Sequence, residues 1–257
     1  MKKKILNIIN QKNTKPLVCL TAYSKPIAKI VDKYCDIVLV GDSLATAMYG
    51  MKNTHHVSLD TMVQHGTSVK SNLTKALCVV DMPTDSYKTI KDAKKNAMLI
   101  VNKTKCDAVK IECNGKNFKI IESVVKIGIP VMGHIGFTPQ HYKKFRVQGL
   151  QKKDRDRLIN EARKNEKAGV FSIVLECVTG SIAKEITSTL RIPTIGIGAS
   201  INCDGQILVT DDMLGLSGFF PRFVKKFAKL KNIIEKGVQK YNKAVLTKKF
   251  PSKKNSF

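Results

Sequence analysis

DAVKIE, residues 107–112, is a short run in which Lys110 and Glu112 alternate with apolar neighbours. Successive side chains on a strand point to opposite faces, so Lys110 and Glu112 share one face while Val109 and Ile111 share the other. Two charges facing inward from one strand need a common pocket. The same ending recurs along the chain: DIVLVGDS (36–43), ALCVVDMP (76–83) and VFSIVLE (170–176) are apolar runs that lead to Asp42, Asp81 and Glu176. LVCLTAY (17–23), PVMGHIG (130–136) and PTIGIGA (193–199) are further apolar runs of strand length. Such runs read as strands of a parallel sheet buried on both faces. An acid where a strand of this kind leaves the sheet is costly unless something partners it.

Helical periodicity separates the runs. A short amphipathic helix is expected near 5–9, and others at 25–34, 58–70, 89–103, 117–127, 154–167 and 182–190. Strands are expected at 17–21, 36–40, 76–80, 108–111, 131–133, 170–175 and 194–197, with an eighth at 214–217 before a closing helix from 222 into a Lys-rich tail. Eight strand–helix steps predict a single (β/α)8 TIM barrel over residues 1–257, and such barrels typically run to about 250 residues. An open doubly wound sheet also alternates strands and helices, but it gathers ligands at one crevice. Acids spread over four strands suit the rim of a barrel better. The connection at 45–57 is long for a β-α loop and is expected to serve as a lid.

The chain has 43% hydrophobic residues, 6% aromatics and no Trp, which is ordinary for a soluble globular protein. Its 45 Lys+Arg against 20 Asp+Glu give a formal charge of +25. The lysines are scattered, without the aromatic interleaving of a nucleic-acid platform, so no specific nucleic-acid partner is expected. The field would still favour anionic small-molecule substrates. Seven cysteines with no C-x-x-C pair, several of them within apolar runs, point to packed free thiols and a reducing cytoplasm. The start, MKKKILNIINQKN, lacks an unbroken apolar stretch and a small-residue cleavage site. No segment approaches the roughly 20 apolar residues of a membrane span, so no membrane association is expected.

Asp42, Asp81 and Glu112 supply the hard oxygen ligands that Mg²⁺ prefers, with waters and substrate oxygens filling the rest of its octahedron. A chelated 2-oxo acid suits such an ion, which would polarise the keto oxygen. Lys110 is a candidate grip for a substrate carboxylate. Glu176, at the end of an apolar approach, is a candidate general base, and His134 is placed to hydrogen-bond a hydroxyl or water near the reacting carbon. The other histidines, His55, His56, His65 and His141, show no zinc-ligand spacing. GIGAS (196–200) lacks both GxGxxG spacing and a P-loop Lys, so it is a weak phosphate motif.

Nine ordered motifs carry a resemblance: LTAY (20–23), LVGDSL (39–44), DMP (81–83), VKIE (109–112), GHIGFTPQ (133–140), VQG (147–149), VLECV (174–178), IPTIGIGAS (192–200) and DGQILV (204–209). Over nearly the whole chain the sequence resembles the ketopantoate hydroxymethyltransferase (3-methyl-2-oxobutanoate hydroxymethyltransferase) family, folate-dependent enzymes that open pantothenate synthesis. The resemblance implies Mg²⁺ on Asp42, Asp81 and Glu112. It implies 3-methyl-2-oxobutanoate on Asp42, Ser43, Asp81 and Lys110, and Glu176 as proton acceptor. It further implies 5,10-methylenetetrahydrofolate as one-carbon donor and a homo-oligomer, decameric in the family. The chain departs from the family pattern at Ser24, Ala45 and Ser200, and HYKKFR (141–146) stands where a longer loop is usual. The competing expectation is a Mg²⁺-dependent carbon–carbon lyase of the phosphoenolpyruvate-mutase and isocitrate-lyase type, but no K-x-C-G-H-like segment is present.

Overall fold

The computed structural model describes residues 3–142, 145–218 and 221–257, so Lys143 and Lys144 of the HYKKFR segment lie outside the described residues. Eight strands are hydrogen-bonded in chain order: β1 (Leu17–Thr21), β2 (Ile37–Val40), β3 (Leu77–Asp81), β4 (Ala108–Glu112), β5 (Val131–Gly136), β6 (Ser172–Glu176), β7 (Thr194–Ile197) and β8 (Gly205–Leu208). All pairs are parallel, and β8 returns to β1, which closes the TIM barrel that the apolar runs predict. The helices are α1 (Lys3–Ile9), α2 (Lys25–Val31), α3 (Leu44–Ala47), α4 (Leu59–Lys70), α5 (Ile90–Thr104), α6 (Phe118–Lys126), α7 (Lys152–Lys167), α8 (Gly180–Thr189), α9 (Thr210–Leu214) and α10 (Leu230–Leu246). Ser58 and Thr89 start α4 and α5 as N-caps, each side chain accepting the N–H three residues on, from Thr61 and Asp92. Among the described residues, no helix is long and apolar enough to cross a membrane.

One expected element is misplaced. The eighth strand is Gly205–Leu208, not 214–217, and the last helix begins at Leu230 rather than at 222. The stretch GQIL escapes an apolar reading because Gln206 points outward and is exposed, leaving Ile207 as its inward residue. Gly205 is required by close approach, since a Cβ there would lie 2.6 Å from both Cβ and O of Leu17 on β1. The barrel is therefore complete within the compact unit Met1–Val209, and Thr210–Phe257 forms a second unit containing α9 and α10.

Period-two alternation divides the core into two clusters. Inside the barrel, Leu17, Ile37, Leu77, Val79, Met132 and Ile195 pack with Ile5 and Ile8 of α1, so that helix plugs the floor. Outside it, Val38, Val80, Val109 and Ile173 pack with helix residues such as Met62, Ile100, Leu158 and Ile186. Buried apolar side chains of this size contribute about 1.5–3 kcal/mol each relative to exposure.

The floor is also stitched by carboxylates. Asp36, Asp107 and Asp204 each follow a cysteine and precede a strand, and each accepts a hydrogen bond from a backbone N–H of an adjoining strand. The donors are Val18 at 2.9 Å, Cys78 at 2.9 Å and Thr194 at 2.8 Å. Asp32, at the end of α2, accepts from Thr74 N, Thr74 Oγ1, Lys75 N and Ala76 N at 2.7–3.0 Å. Burial opposes ionisation of Asp32, but these donors together overcome it and hold its carboxyl below the ordinary value.

A depressed folded-state pKa contributes stability above the unfolded carboxyl's value and loses it as pH falls through the folded one. Asp32→Asn is thus expected to destabilise the protein by about 1–3 kcal/mol at pH 7. The difference from wild type should shrink below about pH 4, the ordinary Asp range. Urea unfolding of both proteins at neutral and acid pH checks this, and a gap that widens on acidification would contradict it.

Candidate active site

The inward alternation that builds the apolar floor continues upward into charge. On β3, Leu77 and Val79 are followed by Asp81; on β4, Ala108 is followed by Lys110 and Glu112; on β5, Met132 is followed by His134; on β6, Val174 is followed by Glu176. Strand register makes Asp81 the neighbour of Lys110 and Glu112 the neighbour of His134. Asp42 joins them from the turn that follows β2. All of these groups gather at the C-terminal mouth, where enzymes of this architecture carry their chemistry.

Two linked sets result. In the first, Lys110 Nζ donates to Asp81 Oδ1 at 2.6 Å, and Asp42 N donates to Asp81 Oδ2 at 3.0 Å. Lys110, Asp81 and Asp42 are all at least 95% buried. Burial works against a charge on Lys110, but Asp81, Asp42 and Glu112 outweigh it and drive its pKa upward. Asp42 is pushed up to about 8 by burial and by the charges of Asp81 and Glu112, against the pull of Lys110 and a hydrogen bond from Gln140.

In the second set, His134 lies between two acids, its Nδ1 3.5 Å from Glu112 Oε1 and its Nε2 3.3 Å from Glu176 Oε2. Both approaches are ion-pair contacts without hydrogen-bond alignment. Burial disfavours imidazolium, yet the flanking Glu112 and Glu176 hold the His134 pKa up at about 9. Glu112 is 1% exposed; burial would raise its pKa, but His134, Lys110 and the Gln140 N–H bring it below the ordinary value.

Backbone geometry fixes Glu176. The next residue, Cys177, has φ +52°, a left-handed conformation uncommon outside glycine, and its N–H is tied to Ile197 O at 2.8 Å. Across the seam, Phe137 N donates to Glu176 O at 2.8 Å, which brings Gly136 so close that a Cβ would lie 2.2 Å from that oxygen.

Each residue expected from the sequence is found at this mouth, with contacts that the sequence does not specify. Lys110 is paired with Asp81, and His134 braces two carboxylates. Ser43 shares a 2.8 Å hydrogen bond with Tyr23 Oη. His65 Nδ1 meets Tyr23 O at 2.6 Å, and its Nε2 meets Tyr49 Oη at 2.7 Å, so the long connection after β2 is fastened to α4. His55, on the same connection, places Nε2 3.0 Å from Pro139 O. Gln140 and Tyr87 are residues that sequence reasoning missed. Gln140 N donates to Glu112 Oε2 at 3.0 Å, and its Nε2 donates to Asp42 Oδ2 at 2.8 Å and to Met82 O at 3.0 Å. Tyr87 Oη donates to Gln140 Oε1. The signal is the placement of Gln140 at the end of GHIGFTPQ, four residues past the end of β5.

Among the described residues, no group of three or more His, Cys, Asp and Glu forms a ready-made metal cage. The donor set is instead the sparse, all-oxygen kind that Mg²⁺ accepts, one or two direct carboxylates with the remainder from solvent and substrate. Four acids face two bases at the mouth, and Asp42, raised by burial and then by Asp81 and Glu112, is the carboxyl whose ionised form a dipositive ion would favour.

The family model described as ketopantoate hydroxymethyltransferase matches residues 2–253. The chain belongs to this family. A relative from Pelagibacter ubique (strain HTCC1062), named 3-methyl-2-oxobutanoate hydroxymethyltransferase, is 49% identical over 257 residues and covers 100% of both chains. One of the same name from Anaplasma marginale (strain Florida) is 46% identical, covering 98% of this chain and 92% of its own. Among solved structures, 2,3-dimethylmalate lyase, a PEP mutase/isocitrate lyase superfamily member, matches with TM-score 0.62 at 14% identity, over 95% of this chain and 88% of that one. Phosphonopyruvate hydrolase in complex with oxalate and Mg²⁺ matches with TM-score 0.64 at 10% identity, over 99% and 93%. These two likenesses are of fold. The ketopantoate hydroxymethyltransferase motifs GHIGFTPQ and VLECV are the segments that supply His134, Gly136, Gln140 and Glu176.

The Gly136 contact is testable by contrast. Gly128 also has a positive φ but open space around it, so Gly128→Ala should cost about 1 kcal/mol. Gly136→Ala should cost about 3 kcal/mol or more, because the backbone of Glu176 must move. Equal losses in chemical denaturation would show that the β5–β6 approach is not the constraint.

Proposed function

We propose that this enzyme is a 3-methyl-2-oxobutanoate hydroxymethyltransferase, moving a one-carbon unit from 5,10-methylenetetrahydrofolate to C3 of 3-methyl-2-oxobutanoate. With water, the products are 2-dehydropantoate and tetrahydrofolate. The observation that carries the reading is the convergence of Asp42, Asp81, Lys110, Glu112, His134 and Glu176 at one barrel mouth in a chain of this family.

Asp42, Asp81 and Glu112 are the residues that would hold Mg²⁺. When bound, the ion supplies positive charge beside the keto oxygen, favouring loss of the C3 proton. Glu176 accepts that proton, and its fixed backbone and the adjacent His134 keep the carboxylate aimed. His134, with Nε2 toward Glu176, is also placed to bind substrate. Lys110 balances Asp81 and presents a buried cation to an anionic substrate, while Ser43, held by Tyr23, offers a hydroxyl beside Asp42. The reading carries with it a homo-oligomer, decameric as the family resemblance implies, acting in the cytoplasm on small-molecule substrates.

Purified protein supplied with both substrates and Mg²⁺ should form 2-dehydropantoate, stop on addition of a chelator and recover with excess Mg²⁺. Product at control level, or activity indifferent to chelation, counts against the reading. Glu176→Gln should slow exchange of the C3 proton with solvent by about 10²–10⁴-fold while keeping keto-acid binding. Unchanged exchange would remove Glu176 from the base role.

A further inference from the structure

Gln140 is buried, and every polar group it is seen to use is aimed at the acidic cluster or its supports. Its main-chain N–H reaches Glu112 on β4. Its amide nitrogen reaches Asp42 beyond β2 and the carbonyl of Met82, the residue after Asp81 on β3. One residue thus spans three strand ends, two through its side chain and one through its main chain. Its orientation is fixed as well: Nε2 faces two acceptors, and Oε1 faces the Tyr87 hydroxyl. A flipped amide would turn an acceptor against two acceptors. Tyr87 is itself buried, so its hydroxyl has little solvent to fall back on.

Asp42 needs this support. It is buried close to Asp81 and Glu112, and it reaches Asp81 through its own backbone N–H. With Oδ2 held by Gln140, Oδ1 is the oxygen left for another partner. Groups that orient a ligating carboxylate in this way commonly matter about 10–100-fold in metal affinity.

We infer that Gln140, locked by Tyr87, is the positioning residue that presents Asp42 and Glu112 to a divalent cation, so that Tyr87 and Gln140 act as one unit on cation affinity. The inference rests on the proposed cation site, and Gln140 touches no reacting atom.

The test measures binding of Mn²⁺ alone, by electron paramagnetic resonance of the free ion, to wild type, Asp42→Asn, Tyr87→Phe, Gln140→Leu and the Tyr87→Phe/Gln140→Leu double variant. Wild type should bind one ion per chain, and Asp42→Asn should abolish that binding. Gln140→Leu should weaken it about 10–100-fold, Tyr87→Phe less, and the double variant no more than Gln140→Leu, because groups acting through one chain of contacts are not additive. Wild-type affinity in both single variants, or a double loss equal to the product of the singles, overturns the inference while leaving the cation site in place. Failure of wild type to bind, or unimpaired binding by Asp42→Asn, overturns the cation site and the inference together. If Gln140→Leu does not fold, Tyr87→Phe decides: unchanged affinity overturns the inference.

Discussion

The Lys110–Asp81 pair is the contact on which the barrel mouth depends. It is 2.6 Å long, and both side chains are nearly dehydrated. Such a pair contributes little by itself, because the cost of removing both ions from water rivals their attraction. What makes it tolerable here is that Asp81 also accepts the Asp42 N–H, and that Asp42 and Glu112 lie close enough to favour the Lys110 charge. The pair then permits two further carboxylates to be buried beside it. Without that cation, His134 would be the remaining basic side chain facing Asp42, Asp81 and Glu112.

Carboxylates do two different jobs at the two ends of this barrel. At the floor, Asp32, Asp36, Asp107 and Asp204 accept backbone N–H groups at strand entries, and Lys70 and Lys12 complete Asp107 and Asp204. Their donors come from the fold itself, so they need nothing from outside. At the mouth, Asp42 is left with a raised pKa, and His134 sits between two acids without aligned hydrogen bonds. Incomplete satisfaction of buried charge is what separates a site from a scaffold, and it falls at the strand ends where the barrel opens to its loops.

Much of this was legible in the sequence because burial and alternation act together. An inward column such as Leu77, Val79, Asp81 announces both the strand and the point where it reaches the mouth, and DAVKIE places Lys110 and Glu112 on one face without any structure. What the sequence concealed were contacts between strands. The eighth strand was missed because GQIL is held by close approach of Gly205 to Leu17 rather than by apolar content. The role of Gln140 was hidden because nothing local indicates that an amide after Pro139 will reach β2, β3 and β4. The floor carboxylates stand in the sequence as Cys-Asp before three strands, at 35–36, 106–107 and 203–204. A carboxylate that caps a neighbouring strand looks, in one dimension, like one that binds a substrate.

On the proposed reading, the acids at the mouth gather a divalent cation which in turn holds the oxo acid. The most direct measurement is anomalous diffraction from crystals soaked with Mn²⁺ and 3-methyl-2-oxobutanoate. One strong peak within bonding distance of Asp42 and Asp81, with the oxo acid beside it and Glu176 facing C3, is the result predicted here. An ordered oxo acid with no peak between those two aspartates, or with Glu176 turned from it, would contradict the account.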